Sequence, residues 1–218
     1  MNRPHSISTW SNKFLDIAAP AVHELRPADI YWGLASKFRY SGQTRGRLLT
    51  VSEHSIVVGR LSKGIAMGRG MDPRGQALCQ AAGLVHDTAE SFEGDVPSPV
   101  KKLVPGFAPI EAALVHAVSV MFNPNHKAWP QEVLDVVRSA DRVCLAAEWN
   151  ILKPRQAKPE SIQGPYPALI EAAEEIYRDF KPHVGDVPYA AQLMHEALVE
   201  VFGLSIVGSF DDGGDASV

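Results

Sequence analysis

Along most of the chain the apolar residues recur at intervals of three and four rather than two, the period of helices that bury one face. This pattern predicts helices over 27–37, 51–68, 74–92, 108–122, 130–152, 166–181 and 188–203, and therefore an all-α fold. The stretch "PADIYWGLASK" opens with Pro and Asp, both helix-start signals, and sets Ile30, Leu34 and Phe38 on one stripe. In "RYSGQTRGRLLT" (39–50) two glycines and three arginines interrupt the period, and a loop or irregular hairpin is expected. Pro97, Pro99 and Pro105 force extended or turning backbone, so a structured loop should follow the third helix. A long loop is expected over 154–165. The tail from 208, "GSFDDGGDASV", lacks core-forming residues and should be disordered, leaving 1–207 as a single domain.

Composition narrows the possibilities. A chain of 218 residues, 45% hydrophobic, can bury a full core without disulfides. Its two cysteines, Cys79 and Cys144, sit in apolar periodic segments and read as buried thiols of a reducing compartment. The start of the chain has no charged segment followed by an apolar one, and no run approaches the length of a membrane span. A cytoplasmic protein with no membrane partner is the expectation. The net charge of −4 argues against a broad duplex-DNA surface, but a local basic cluster could still bind a small anion.

The chemistry concentrates in "LVHDTAESFEGDVPSPVKK" (84–102). On a helix continuing through this doublet, His86 and Glu90 share a face and Asp87 is rotated by about 100°. His54 lies in apolar helical pattern upstream, and Asp141 does so downstream in "VVRSADRVCLAAE". A carboxylate that approaches the core needs a partner or a metal. Two imidazoles and two carboxylates from three helices form a mixed N/O donor set that suits Mn, Fe, Co, Ni or Zn without choosing among them. Each residue also has a plainer reading: His54 as a solvated helix histidine, Asp141 as the partner of Arg138 or Arg142, Glu90 as a helix-end acid.

The order of His54, then His86-Asp87, then Asp141 resembles the HD-domain metal-dependent phosphohydrolases. More narrowly, "RYSGQTRGRLLTVSEHS" and "HDTAESFEGDVPSPVK" are similar to stretches of bacterial HD-domain 5′-deoxynucleotidases and of phage dATP triphosphohydrolases, over roughly 30–150. The resemblance implies a compact helical bundle around one divalent ion, held by His54, His86, Asp87 and Asp141. It implies that Glu90 handles the attacking water, that Arg39 orients the phosphate, and that Asp95, Val96, Pro97 and Ser98 hold the sugar. Tyr40 stands where the deoxynucleotidases often have Trp. Lys101 could meet further phosphate charge. His116 and His126 fall where two-metal relatives carry extra ligands. A small nucleotide substrate, no nucleic-acid partner and a homo-oligomer are expected. Hydrolysis of a deoxynucleoside monophosphate is the leading reading, with triphosphate hydrolysis and a non-catalytic nucleotide-binding module as alternatives. Gly-rich phosphate loops and G-x-S-x-G elbows are absent.

Overall fold

The computed structural model describes residues 4–45, 47–123, 128–153, 157–158, 162, 166–180 and 186–211. The fold is all-α apart from a small hairpin, β1 (Ser6–Ser8) and β2 (Phe14–Asp16), paired antiparallel with Ile7 opposite Leu15. The helices are α1 (Pro27–Ala35), α2 (Val51–Gly68), α3 (Pro73–Val85), α4 (Glu90–Glu93), α5 (Ser98–Leu103), α6 (Phe107–Phe122), α7 (Gln131–Leu152), α8 (Pro167–Asp179), α9 (Val187–Phe202) and α10 (Leu204–Val207). Among the described residues no helix is long and apolar enough to cross a membrane.

Helix α2 is the axis of the bundle, packed by α1, α3, α7, α8 and α9. Its residues from Val51 through Gly59 are all buried, so its first half is covered on every side. A capping box fixes where it begins. The Thr50 hydroxyl accepts from Glu53 N at 3.2 Å, and the Glu53 carboxylate accepts from Thr50 N at 2.8 Å. That start sets the azimuth of His54 one turn on. Helix α3 comes close to α2 because Gly83 has no side chain: a Cβ there would meet Val58 O at 3.0 Å and Gly59 Cα at 3.1 Å.

Two expectations need correction. The helix expected over 74–92 stops at Val85, and His86–Ala89 form successive tight turns before α4. Side chains take its carbonyls: His86 Nδ1 is 2.8 Å from Gly83 O, Thr88 Oγ1 donates to Val85 O at 2.7 Å, and Ser91 Oγ donates to Thr88 O at 2.6 Å. Such local bonds compete with the i→i+4 ladder. The proline-rich loop contains a short helix, α5, because Pro99 lies in the first turn, where its missing N–H costs nothing. The N-terminal hairpin, too short for a periodic signal, is anchored by buried Asp29, which accepts from Ser11 N at 2.8 Å. The described residues just past 207 lie back on α1. Phe210 stacks on Tyr31 with ring centroids 5.4 Å apart, and Trp32 Nε1 donates to Asp211 O at 2.8 Å. Residues 212–218, and all of the expected 154–165 loop except 157, 158 and 162, lie outside the described residues.

The packing of α1 on α4 has a testable consequence. A Cβ on Gly33 would stand 2.8 Å from Ser91 O and 2.9 Å from Ser91 Cα, and backbone cannot step aside as a side chain can. Gly33→Ala is expected to destabilise the protein by about 1–3 kcal/mol, read as a lower urea midpoint. A midpoint equal to wild type would show that α4 moves freely.

Candidate metal centre

Three side chains could together hold a metal ion: His54, His86 and Asp87 each offer one ligand atom, all within 4.8 Å of one another. His54 Nε2 lies 3.3 Å from His86 Nε2, and Asp87 Oδ2 is 3.4 Å from the first and 3.2 Å from the second. The other ring nitrogens are committed. His86 Nδ1 faces Gly83 O, which can only accept, so that nitrogen carries the proton. His54 Nδ1 is 2.6 Å from Glu148 Oε1, whose carboxyl is buried but held down to about 2 by Arg39 and His54, so Nδ1 donates there as well. Both Nε2 lone pairs therefore point at one place beside a carboxylate. Two lone pairs in contact are repulsive unless a cation, a proton or a metal ion, sits between them. This donor set fits a divalent ion.

Charge at the site answers the same geometry. Burial pushes Asp87 up, but the His86 and His54 imidazoles outweigh it and hold its carboxyl well below the usual range. Burial and Arg39 oppose a charged His54, but Glu148, Asp141 and Asp87 prevail and raise it well above an ordinary imidazole.

Asp141 joins at the rim. Its Oδ1 is 3.3 Å from His54 Nε2, and its side chain is 41% exposed. Arg138, one of its candidate partners, pairs with Asp135 instead. Asp141 thus touches one member of the tight three-residue group without belonging to it.

Arg39 and Tyr40 reach the site from an irregular 3₁₀ turn, Arg39–Gly42, in which Tyr40 (φ 59°), Ser41 (φ 52°) and Gly42 (φ 70°) are all left-handed. Two consecutive non-glycine residues in that region are strained and persist only where their surroundings over-determine them. Here Tyr40 N donates to Asp95 Oδ2 at 3.0 Å, and Tyr40 OH donates to Glu148 Oε2 at 2.9 Å. Arg39 NH1 stands 3.7 Å from both Asp87 and Asp95, and NH2 is 3.4 Å from Glu148. The loop expected to touch substrate is thereby brought to the ion-binding group through Asp95. Val96 is half-buried, while Pro97 and Ser98 are exposed at the start of α5.

Glu90 is 6% exposed and its Oε2 has no hydrogen-bond partner among the described residues. Burial first, then Asp87 and Asp95, push its carboxyl up to about 9, against the pull of Arg39 and Lys101. In a run of i→i+3 turns residues three apart eclipse, so Glu90 is aligned with Asp87 rather than with His86. The Lys101 ammonium lies 3.6 Å from Glu90, 3.8 Å from Glu93 and 2.5 Å from Glu111. That cluster of acids, rather than open solvent, surrounds it.

Over 164 residues the chain is 30% identical to an uncharacterized protein of Rhodobacter capsulatus, a match covering 73% of this chain and 80% of that protein. The chain belongs to that protein's family. No protein-family model matches it. In this member of the family His116 lies exposed on α6 and joins no metal-binding group among the described residues. His126 lies outside them. The family member's least expected site residue is Glu148, fully buried on α7. Its signal was spacing: it follows Asp141 by seven residues, two turns along one helix face, inside the apolar run "VCLAAEW".

Proposed function

We infer that this protein is a metal-dependent phosphohydrolase acting on nucleotides, and that it releases phosphate from deoxynucleoside 5′-monophosphates. The observation that carries the reading is the pair of facing Nε2 lone pairs at 3.3 Å beside Asp87, with a buried acid and a part-buried arginine against them. The expected ions are Mn, Co, Ni, Fe or Zn, held by His54, His86 and Asp87 and approached by Asp141. Bound there, such an ion supplies a polarised phosphoryl oxygen, a more acidic water and positive charge against Asp87.

The protein's own groups do the rest. With Asp87 offset, Glu90 is relieved of a repulsion that keeps its proton on, and its unpartnered oxygen can accept a proton from the attacking water. Water oxygen then bonds to phosphorus as the bond from phosphorus to the ester oxygen breaks, and the nucleoside leaves as an alcohol after taking up a proton. Arg39 offers a planar guanidinium to the non-bridging oxygens, a bidentate contact Lys cannot copy. Lys101, close to Glu90, tunes the acid rather than meeting phosphate.

A panel of deoxy- and ribonucleotides with one to three phosphates tests the reading. Orthophosphate from deoxynucleoside monophosphates is expected. Triphosphate from dATP would move the assignment to triphosphate hydrolysis, and no release from any member with the ion bound would leave a binding module. On the same panel, Arg39→Ala should impair every nucleotide alike, by about 1.5–3 kcal/mol of transition-state stabilisation. Asp95→Ala should instead change the ratio of deoxy to ribo activity. A sugar-selective loss for Arg39→Ala would mean that the two ends of the nucleotide are reversed.

A further inference from the structure

Glu148 is 0% exposed, and its lone pairs are engaged by four groups from three parts of the chain. Oε1 is 2.6 Å from His54 Nδ1 on α2 and 2.5 Å from Tyr177 OH on α8. Oε2 is 2.9 Å from Tyr40 OH and 3.4 Å from Arg39 NH2 in the left-handed turn. An ionised carboxylate this deep is expensive unless paired, and a structural pair would need only Arg39. The arrangement does more than neutralise charge. One oxygen serves the ligand side of the site and the other serves the arginine side.

We propose that Glu148 is the positioning residue of the metal centre: it holds the proton of His54 on Nδ1, so that Nε2 is free to bind an ion, and with its second oxygen it fixes Arg39 and Tyr40 against the same site. The proposal rests on the metal reading of His54, His86 and Asp87 and deepens it. A metal-binding imidazole whose far nitrogen donates to a carboxylate is oriented and made more basic, and loss of such a partner typically weakens metal binding by about 10–100-fold.

Glutamine at this position discriminates sharply because its two ends are unlike. With its amide oxygen toward His54, its NH₂ would face the Arg39 guanidinium, donor against donor. Reversed, the oxygen accepts from Arg39 and Tyr40, and the NH₂ donates to Tyr177 OH and to an unprotonated His54 Nδ1. Arg39, Tyr40 and His54 Nδ1 are then satisfied, but the His54 proton has moved to Nε2 and blocks the ion. Glu148→Gln is therefore expected to fold and to bind Co²⁺ about 10–100-fold more weakly than wild type, followed by the visible absorption of the bound ion. Tyr177→Phe leaves the bond from His54 to Glu148 in place and should bind Co²⁺ within about threefold of wild type.

A measurement on wild type guards against a variant that fails to fold. In the Zn²⁺-loaded protein, long-range nitrogen–proton NMR of the histidines should show His54 protonated at Nδ1 and ligating through Nε2. The opposite assignment, or unchanged Co²⁺ affinity in a folded Glu148→Gln, overturns the role of Glu148 while leaving the metal centre intact. If wild type takes up neither ion, the metal reading falls and the proposal with it.

Discussion

Exhaustive chelation is expected to reduce nucleotide hydrolysis to background, and Mn²⁺ or Co²⁺ to restore it. Asp87→Ala should lose both the activity and the bound ion. Asp87 carries the largest share of this expectation because its Oδ2 approaches both imidazoles, at 3.4 and 3.2 Å, and no other carboxylate among the described residues does so. Without it, only Asp141, which reaches His54 Nε2 alone at 3.3 Å, is left to balance a dication. Stability reports the same event without any substrate. An ion that binds only the folded chain stabilises it by about 2.7 kcal/mol at a hundred times its dissociation constant, which for a domain of this size is a rise in Tm of several degrees. Asp87→Ala should abolish that rise. Full turnover by this variant after chelation would remove the metal from the reaction, whereas a retained rise in Tm without turnover would confine Asp87 to chemistry rather than binding.

Glu90→Gln should keep the ion and lower kcat by about 10²–10⁴-fold, the usual contribution of a positioned base. It should also make the metal-free protein more stable at neutral pH. Burial, Asp87 and Asp95 raise this carboxyl from 4.5 to about 9, so between those values the folded chain holds a proton that the unfolded chain releases. The favourable contribution of Glu90 is complete below pH 4.5 and is lost as pH rises toward about 9. At pH 7 the acid destabilises the metal-free fold by at most about 3 kcal/mol relative to a neutral isostere. Glutamine removes that slope, though Glu93, raised to about 7 by burial and Glu111, keeps part of it. Urea unfolding of both proteins from pH 5 to 9 checks the sign: the curves should diverge upward in pH, with the variant the more stable. Parallel curves would mean that Glu90 is solvated. Loss of the ion in the variant would instead make Glu90 a ligand.

These two variants separate because the stretch from 84 to 102 is not the single helix that its periodicity suggests. On a continuous helix Glu90 would stand over His86, and removing it would disturb the ligand. The hydroxyls of Thr88 and Ser91 and the imidazole of His86 close tight turns instead, and these align Glu90 with Asp87. Competition between a side chain and the backbone for one carbonyl is decided by where the neighbouring elements let each side chain point. No pattern of apolar residues records it. The packing of Phe210 is hidden for a similar reason: in a segment poor in core residues, it finds its place only once α1 presents Tyr31 and Trp32.

By itself the sequence determined the helical class and, the helix over 74–92 aside, the span of the long helices, since their apolar stripes answer to a local period of 3.6 residues and their Pro and Gly boundaries to local backbone sterics. It also singled out residues that meet at the candidate site: His54, His86, Asp87, Glu90 and Arg39 are conspicuous by type and order before any fold is known. Tertiary structure alone decided how they are arranged. The tautomer of His54 depends on Glu148, ninety-four positions away, and the left-handed turn of Tyr40 depends on Asp95, fifty-five away. A hydrogen bond of that sequence separation exists only after α2, α7 and the turn at Arg39 have packed, because proton positions and backbone strain are set by the partner that a group finds.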